Sequence, residues 1–260
     1  MKKYLFLWFK VTTQLTQIAF ASRLGVVLFT LGKIIRFVLF LVFLLLLVSR
    51  TKSLAGYGLW QVMMFFLTFN FIDIISQFLW RDVYRFRSYI VSGNFDMILT
   101  KPISPLLRSL FGGSDILDLI TLFPLTGFMI YAVGHLDHVS ITQIVLYIVL
   151  VLNGLIIAMS LHILVLALGV ITTEVDNAIW LFRELTQLGR LPLRIYPRPV
   201  GLVFTFILPV AALITIPTEA LLGVLSVEGV IIAFVFSGGF LWLSLRAWRG
   251  ALKRYASASS

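Results

Sequence analysis

Residues 37–48 read Phe-Val-Leu-Phe-Leu-Val-Phe-Leu-Leu-Leu-Leu-Val, a run of twelve apolar side chains with no charge. The run lacks the alternation of apolar and polar residues that strands of a membrane barrel show. It is therefore typical of a helix in a membrane, where every backbone polar group must be satisfied within the segment. With its flanks it fills residues 26–48, about the 20 apolar residues that a membrane-spanning helix needs.

The composition extends this conclusion to the whole chain. Apolar residues make up 60% of the 260 residues and charged residues 12%, with a mean hydropathy of +1.03. A soluble chain of this length cannot bury that much apolar surface in one core. The chain has no cysteine, which excludes disulfides, cysteine-held iron–sulfur clusters and thiolate zinc sites. The net charge of +10 lies in short segments between apolar runs, so we expect a membrane protein and no nucleic-acid partner.

The sequence predicts one all-α integral membrane domain, residues 1–260, with six spanning helices. Strong strand-like alternation is absent, and six stretches are long and apolar enough to cross a bilayer. Lys33 and Arg36 lie near the start of the first span, where long side chains can reach toward the headgroups. The predicted spans are about 26–48, 57–79, 116–134, 141–169, 200–217 and 226–248.

The first 22 residues predict an amphipathic helix in the cytoplasmic interface. They do not form a signal peptide, because Lys10 and the polar run 12–14 interrupt any apolar core. A frayed tail is the alternative, but the tryptophan suits interfacial depth. The apolar residues that recur on one helical face are Tyr4, Trp8, Val11, Leu15 and Ile18.

Basic residues predict the orientation. With six spans and a cytoplasmic N-terminus, the outer loops contain only Arg50 and Lys52. By the positive-inside rule, both termini are then cytoplasmic, and the protein is a multi-pass protein of the plasma membrane. The cytoplasmic basic residues are Lys2, Lys3, Lys10, Arg23, Arg81, Arg85, Arg87, Lys101, Arg108, Arg183, Arg190, Arg194, Arg198, Arg246, Arg249, Lys253 and Arg254.

Two predicted cytoplasmic segments are longer than a connection requires. Residues 80–115 join spans two and three, and Pro102 and Pro105 break any helix there and fix a rigid bend. Residues 172–199 contain an amphipathic stretch that ends at Gly189, a suitable residue after a helix C-terminus.

No pattern for catalysis, metal binding or nucleotide binding is convincing. His135 and His138 flank Asp137 in a loose metal-like spacing, but exposed loop histidines are usually solvated. His162 lies in span four, as a packed helix contact or, less simply, a proton relay. Gly25 and Gly32 are too far apart for a phosphate loop, and no Ser or Thr follows Lys33. We expect no bound cofactor or metal and no enzymatic activity in this chain.

Span two carries a polar stripe. Asn70, Asp73 and Gln77 lie three and four residues apart, so they share one helix face within about 60°, which Arg81 continues. A carboxylate in hydrocarbon is costly and should face the bundle interior or a water-filled cavity. Two hypotheses stay open: a path that contacts substrate or cations, or a structural hydrogen-bond ladder in which the arginine neutralises the aspartate.

Several stretches together resemble the type-2 ABC exporter permeases, over essentially the whole chain and in the same order. They are Gly-Arg-Leu-Pro-Leu-Arg-Ile-Tyr-Pro at 189–197, Thr-Phe-Ile-Leu-Pro-Val at 205–210, Ile-Pro-Thr-Glu-Ala-Leu-Leu-Gly at 216–223, the segment 92–105 and the closing 252–255 with its Ser/Ala tail.

This resemblance implies an interfacial elbow helix, six spans and a cytoplasmic coupling helix between spans two and three. It also implies a short hairpin near Pro209 to Gly223 that dips into the membrane from outside. Such permeases work as dimers, with the same or a different permease as second half, in a bacterial cytoplasmic membrane. Two separate ATP-binding subunits use ATP and Mg²⁺.

The segment 80–115 is the predicted docking site for the ATP-binding subunit. Phe95, Ile98 and Leu99 beside Asp96 and Lys101 form an apolar anchor with a charged rim. The alternative is a solvated connector whose apolar residues rest on the headgroups. The predicted docking residues are Phe95, Asp96, Ile98, Leu99, Lys101, Pro102 and Pro105.

We therefore expect a non-catalytic permease that exports a hydrophobic or amphipathic substrate. An aromatic-rich interior with one carboxylate, Asp73, favours an amphipathic cation such as a cationic drug or xenobiotic. A secondary transporter or channel is the alternative, although six spans are few and no inverted repeat is visible. An intramembrane enzyme would need paired acidic or histidine residues at one depth, and the sequence does not show them.

Overall fold

The computed structural model describes residues 2–172 and 175–255, and every regular element in these ranges is a helix, as the sequence predicts. The Ser/Ala tail after Tyr255 lies outside the described residues. The helices are α1 (Lys2–Ala21), α2 (Arg23–Thr51), α3 (Leu59–Trp80), α4 (Phe86–Val91), α5 (Asn94–Leu99), α6 (Pro105–Leu110), α7 (Ile116–Val133), α8 (Ile141–Thr172), α9 (Val175–Gln187), α10 (Arg198–Phe206), α11 (Ile216–Leu221) and α12 (Val227–Arg254).

Shorter turns of helix complete this architecture. The 3₁₀ turns are Arg81–Arg85, Leu188–Arg190 and Leu193–Ile195, and one π-helical segment is Ala211–Thr215. We call the end of the bundle that carries α4–α6 the inner end and the end that carries residues 52–58 the outer end. These two names follow the orientation predicted from charge.

Within residues 2–172 and 175–255, five helices are long and apolar enough to cross a bilayer: α2, α3, α7, α8 and α12. α3 lies at the centre and packs against α2, α7 and α8, with a nearly continuous buried stretch from Val62 to Phe69. α8 packs along α12, where the side-chain amide of Asn153 donates to the carbonyl oxygen of Ala233 at 3.0 Å. α2 buries only Leu44 and Val48, so most of its surface faces lipid or another chain.

α1 forms a helix, as predicted, and packs along the segment that follows α6. The indole of Trp8 donates to Ser114 Oγ at 3.0 Å, and the backbone N–H of Ser114 donates to Thr12 Oγ1 at 3.1 Å. Leu5, Phe6 and Phe9 stay exposed on the opposite side. An exposed apolar face beside the inner end suits the headgroup boundary, and the interfacial position stays a prediction.

The structure differs most from the prediction at residues 175–196, which the sequence places within the cytoplasmic segment 172–199. Their contacts move along α3 from its inner to its outer end, so this segment crosses the bundle, and we call it the polar crossing. α3 is about 33 Å long at about 1.5 Å per residue. The successive contacts are Arg183 over the Tyr84 ring at 5.7 Å, Arg190 over Phe69 at 4.9 Å and Arg194 over Tyr57 at 5.4 Å.

Residues 198–221, in turn, do not form the straight span predicted at 200–217. The chain breaks after Phe206, at Leu208-Pro209, and the two helical parts meet at a bend of 78°. The far end of the second part lies at the outer end, where Glu219 accepts a hydrogen bond from Tyr57 Oη at 2.8 Å. The π-helical segment lies deep, since the carbonyl oxygen of Leu213 approaches the middle of α8 at Gly154. The pair is therefore a hairpin that enters and leaves at the outer end.

Both differences have one cause. The polar crossing contains charged residues, so its hydropathy is too low for it to be predicted as a span. The hairpin is apolar enough to be predicted as a span although it does not cross. Hydropathy reports whether a segment tolerates lipid, not whether it is surrounded by protein.

Candidate functional site

The predicted polar stripe on α3 is a continuous hydrogen-bond ladder within the helix. Gln77 Nε2 donates to Asp73 Oδ2 at 2.8 Å, and Arg81 Nη1 donates to Gln77 Oε1 at 3.4 Å. Asn70 turns to its own helix and donates to the carbonyl oxygen of Phe66 at 2.7 Å. Arg81 does not neutralise Asp73 directly; its ion pair is with Asp115, at 3.7 Å. The bonds from Arg81 through Gln77 to Asp73 agree with a structural ladder but not with the expected neutralisation of Asp73 by Arg81, and contact with substrate stays a prediction.

Asp73 also faces a small cavity of about 20 Å³ between α3, α8, α9 and the π-helical segment. Ser76 Oγ and His162 Nε2 border it, and both are buried without a hydrogen-bond partner among the residues that the structure describes. A polar cavity of this size has room for one water molecule, which would satisfy these atoms.

His162 is held as a packed side chain. Its Nδ1 lies 2.8 Å from the carbonyl oxygen of Ala158, and its ring contacts Trp80 and Phe182, both at a centroid distance of 5.2 Å. Aromatic neighbours on two elements fix the ring orientation. The geometry of His162 therefore matches the packed helix contact, the first of its two predicted roles.

The polar crossing brings two further arginines to this region, which the sequence places in a cytoplasmic loop. Arg183 and Arg190, together with Arg36 of α2, interact electrostatically with Asp73. The guanidinium of Arg190 lies over the rings of Phe40 and Phe69, at 5.2 and 4.9 Å. The centre of the bundle is therefore rich in guanidinium groups, a feature that the stripe on α3 alone did not indicate.

The segment predicted to dock the ATP-binding subunit folds against the bundle. Phe95 is 0% exposed, and its ring meets those of Phe86 at 5.1 Å, Tyr255 at 5.2 Å and Trp248 of α12 at 6.4 Å. Ile98 is buried as well. The prediction that these two side chains form an exposed anchor is wrong, because they fill the inner end of the protein's own core.

The outward face of α5 consists of other residues. Met97 is 64% exposed and Val91, at the end of α4, is 62% exposed, with Lys101 and Pro102 also exposed beside them. Asp96, Leu99 and Pro105 are half-buried. Gly93, at φ +71°, makes the tight turn between α4 and α5 in the left-handed region that glycine tolerates best. Exposed apolar side chains and an exposed lysine therefore occur in this segment, at Val91, Met97 and Lys101 rather than at Phe95 and Ile98.

Pro105 begins a helix as well as limiting one. It is the first residue of α6, where its fixed φ suits helical geometry, and Ser104 Oγ caps this helix by accepting from the N–H of Leu107 at 3.4 Å.

A buried carboxylate, which sequence reasoning missed, joins the 3₁₀ turn directly after α3 to α4 and α6. Asp82 is 1% exposed; Arg108 of α6 donates to its Oδ2 at 2.7 Å, and Tyr89 of α4 donates to its Oδ1 at 3.0 Å. Gly112 lies against this pair, where a Cβ atom would collide with both side chains. The signal available in the sequence was an acidic residue directly after a predicted span, within an otherwise basic segment. We call Asp82, Tyr89 and Arg108 the inner clamp.

The loop histidines give no metal geometry. The ring of His135 stacks on Trp60 at 4.3 Å, and its Nδ1 lies 2.9 Å from the carbonyl oxygen of Tyr131. Within residues 2–172 and 175–255, no three His, Asp or Glu side chains come together as a metal site. Trp60, Tyr131 and His135 instead form an aromatic cluster at the outer end.

Comparison with known proteins identifies the family. Residues 34–259 match the sequence model described as ABC-2 family transporter protein, which covers the spanning helices, the polar crossing, the hairpin and the segment that holds the inner clamp. No curated protein and no solved structure matches the chain. The match spans most of the sequence and agrees with the all-helical bundle. The chain therefore belongs to the ABC-2 family of transporter membrane proteins.

Proposed function

We propose that this chain is the permease subunit of an ATP-driven exporter in a bacterial cytoplasmic membrane. It forms half of a translocation path, and a separate ATP-binding subunit that uses ATP and Mg²⁺ supplies the energy. The observation that carries the proposal, beside the family, is the connected inner segment. α4–α6 present an exposed apolar patch, and buried contacts tie the same segment to two spanning helices.

The docking surface is the patch formed by Val91, Met97 and Lys101. Exposed apolar side chains with a basic rim suit a groove on a partner protein. A push on this patch reaches α3 through the inner clamp and α12 through Phe95. Both connections are buried, so they transmit displacement with little slack. Phe95 thus acts behind the interface as a transmitter.

The second half of the path is another permease, either a copy of this chain or a different one. The broad uncovered surface of α2 and the exposed Trp180 and Leu181 of the polar crossing offer area for it. The substrate is hydrophobic or amphipathic, because a largely apolar bundle surrounds the polar residues at its centre. Asp73 faces that centre in the company of three arginines, which weighs against the cationic substrate that the sequence favoured.

Copurification with the ATP-binding subunit tests the docking surface. Val91→Asp with Met97→Asp should reduce the yield of bound ATPase and ATP-dependent export together, with normal insertion of the permease. Gly250→Asp is the control, because it adds one such carboxylate at an exposed position near the inner end of α12.

A second pair of variants separates docking from transmission. Phe95→Ala should leave bound ATPase near the wild-type yield while lowering export per molecule of ATP hydrolysed. Wild-type ATPase yield with the double aspartate variant refutes this docking surface. Export that continues without any ATPase favours the secondary transporter or channel.

A further inference from the structure

Arg36 occupies an unusual place on α2. The ring of Phe40, one turn further along, stacks on Phe66 of α3 at 4.8 Å. Counting about 1.5 Å per residue from that contact, Arg36 lies about 15 Å from each end of α3. Its side chain is exposed at this depth. Half of a hydrocarbon core is about 15 Å thick, so Arg36 lies too deep for the headgroup contact predicted from sequence.

A guanidinium at this depth needs a polar partner, since an unpaired one costs about 3 kcal/mol or more in lipid. Lys33, one turn away on α2, has such a partner in the buried carboxylate of Asp118. Arg36 has no ion pair or hydrogen bond to any residue in the described ranges. Its partner therefore comes from outside this part of the chain.

Arg190 lies beside the same phenylalanine. Its guanidinium rests on the rings of Phe40 and Phe69, and its Nε is buried without a hydrogen-bond partner among the described residues. Arg36 and Arg190 also interact electrostatically with each other. Two like charges at one depth repel unless an anion lies near both.

The carboxylate of Asp73 interacts electrostatically with both arginines but forms no ion pair with either of them among the described residues. Asp73 accepts its hydrogen bond from Gln77, and Glu184 has an exposed side chain. Arg36, Arg183 and Arg190 all interact electrostatically with Asp73, and Arg190 also with Glu184, yet neither carboxylate forms an ion pair with Arg36 or Arg190 in the described part of the chain. The two arginines have donors available for a further anion.

A shallow, open apolar cleft of about 400 Å³ runs along one face of α2; Arg36 lies in its lining, and Arg190 lies against Phe40 of that lining. Arg36 is the only charged side chain in its lining, and the others are aliphatic or aromatic. A cleft of this volume accommodates a small amphipathic molecule. Its lining residues are Gly32, Ile35, Arg36, Leu39, Phe40 and Phe43.

We propose that Arg36 and Arg190 bind the anionic headgroup of an amphipathic substrate, such as a phosphate, sulfate or carboxylate, whose hydrocarbon chain lies in this cleft. Guanidinium groups match such oxyanions with paired hydrogen bonds. The apolar lining suits the hydrocarbon chain of such a molecule, and the positive charges of the two arginines oppose binding of an organic cation. Calling this ligand a substrate rests on the proposed exporter function, whereas the binding site itself does not depend on that function.

The test uses the full chain in phosphatidylcholine nanodiscs and measures equilibrium binding of dodecyl phosphate. Inorganic phosphate and dodecyltrimethylammonium serve as comparison ligands. The variants are Arg36→Gln, Arg190→Gln and the conservative Arg36→Lys. Arg50→Gln is the control, because Arg50 is exposed on the last turn of the same helix.

We expect dodecyl phosphate to bind more tightly than either comparison ligand. Arg36→Gln and Arg190→Gln should each weaken it about 10- to 100-fold, the usual effect of losing a hydrogen bond to a charged group. Arg36→Lys should keep part of the affinity because it keeps the charge, and Arg50→Gln should keep all of it. The conservative variant also shows whether loss of affinity reflects loss of folding.

Three results overturn the proposal: unchanged affinity in Arg36→Gln, with or without a change of oligomeric state, equal or tighter binding of dodecyltrimethylammonium, or equal binding of inorganic phosphate. Equal binding of inorganic phosphate indicates a small-anion site, and a changed oligomeric state indicates an interface between chains. Specific binding without a copurifying ATPase leaves the site standing and the exporter function refuted. ATPase-dependent export without specific binding leaves the exporter function standing and the site refuted.

Discussion

α2 and the polar crossing are opposites in composition and in surroundings. α2 contains the most continuous apolar run of the chain, yet it buries only Leu44 and Val48. The polar crossing carries Asp176, Arg183 and Arg190, yet it packs along α3, with Ile179 buried and Trp180 exposed. A helix that faces lipid is largely apolar, whereas a segment that packs along protein can carry charges that neighbouring side chains satisfy.

The largest expected effect concerns the side of the membrane that the end of the polar crossing reaches. The chain has no cysteine, so single cysteines can be labelled without background. Arg198→Cys should react with an impermeant maleimide added to intact cells, as should Lys52→Cys. Thr100→Cys should react only after permeabilisation.

The sequence alone predicts the reverse for residue 198, which it places in the cytoplasm. Labelling of Arg198→Cys only in permeabilised cells would show that the polar crossing does not cross. Labelling of Thr100→Cys in intact cells would reverse the orientation predicted from charge.

A buried ion pair should contribute more to the free energy of unfolding than an exposed one, even when both involve the inner segment. Asp82→Asn leaves the guanidinium of Arg108 without its carboxylate and should lower the free energy of unfolding by about 3 kcal/mol. Asp176→Asn is the matched control, since its pair with Arg87 is about half exposed on both sides and is worth about 0–1 kcal/mol. The loss of thermal stability in detergent measures both, and equal losses would contradict the buried clamp.

Glycine substitutions compare the two segments directly. Gly189 lies on the polar crossing, where a Cβ atom would meet the side chains of Val210 and Ile214. Gly189→Val should therefore destabilise the fold by about 1–3 kcal/mol through overpacking. Gly32 of α2 has no atom within 4 Å of such a Cβ, so Gly32→Val should change stability by less than about 0.5 kcal/mol. Similar thermal shifts for both variants would place the polar crossing outside the core.

Sequence reasoning succeeded where one physical rule decides the outcome. Long apolar runs predicted α2, α3, α7, α8 and α12, because few other structures accommodate 18 or more such residues. The helical period of apolar residues predicted α1. The resemblance supplied the hairpin, which neither periodicity nor hydropathy indicated.

Sequence reasoning failed where burial depends on tertiary neighbours. Phe95 and Met97 are both apolar residues of α5, and their order does not reveal that Phe95 packs on Trp248 while Met97 points outward. In the sequence, Arg190 has the features of a cation in a loop. Nothing there indicates that Phe40 and Phe69, from two other helices, contact it. In both cases the deciding contacts come from residues far away in sequence.

The smallest expected effect is at the outer end of the polar crossing. Arg194 Nη2 lies 3.1 Å from Glu219 Oε1, but its side chain is 58% exposed, so the pair should contribute about 0–1 kcal/mol. Glu219 is 13% exposed and also accepts from Tyr57 Oη, which keeps it satisfied when the arginine is lost. Arg194→Gln should therefore shift thermal stability only slightly, and high salt should remove most of that difference by screening. Glu219→Gln should cost more, because the buried tyrosine hydroxyl exchanges a charged acceptor for a neutral one. A larger loss in Arg194→Gln than in Glu219→Gln would mean that this exposed arginine, and not the buried hydroxyl, fastens the polar crossing to the hairpin.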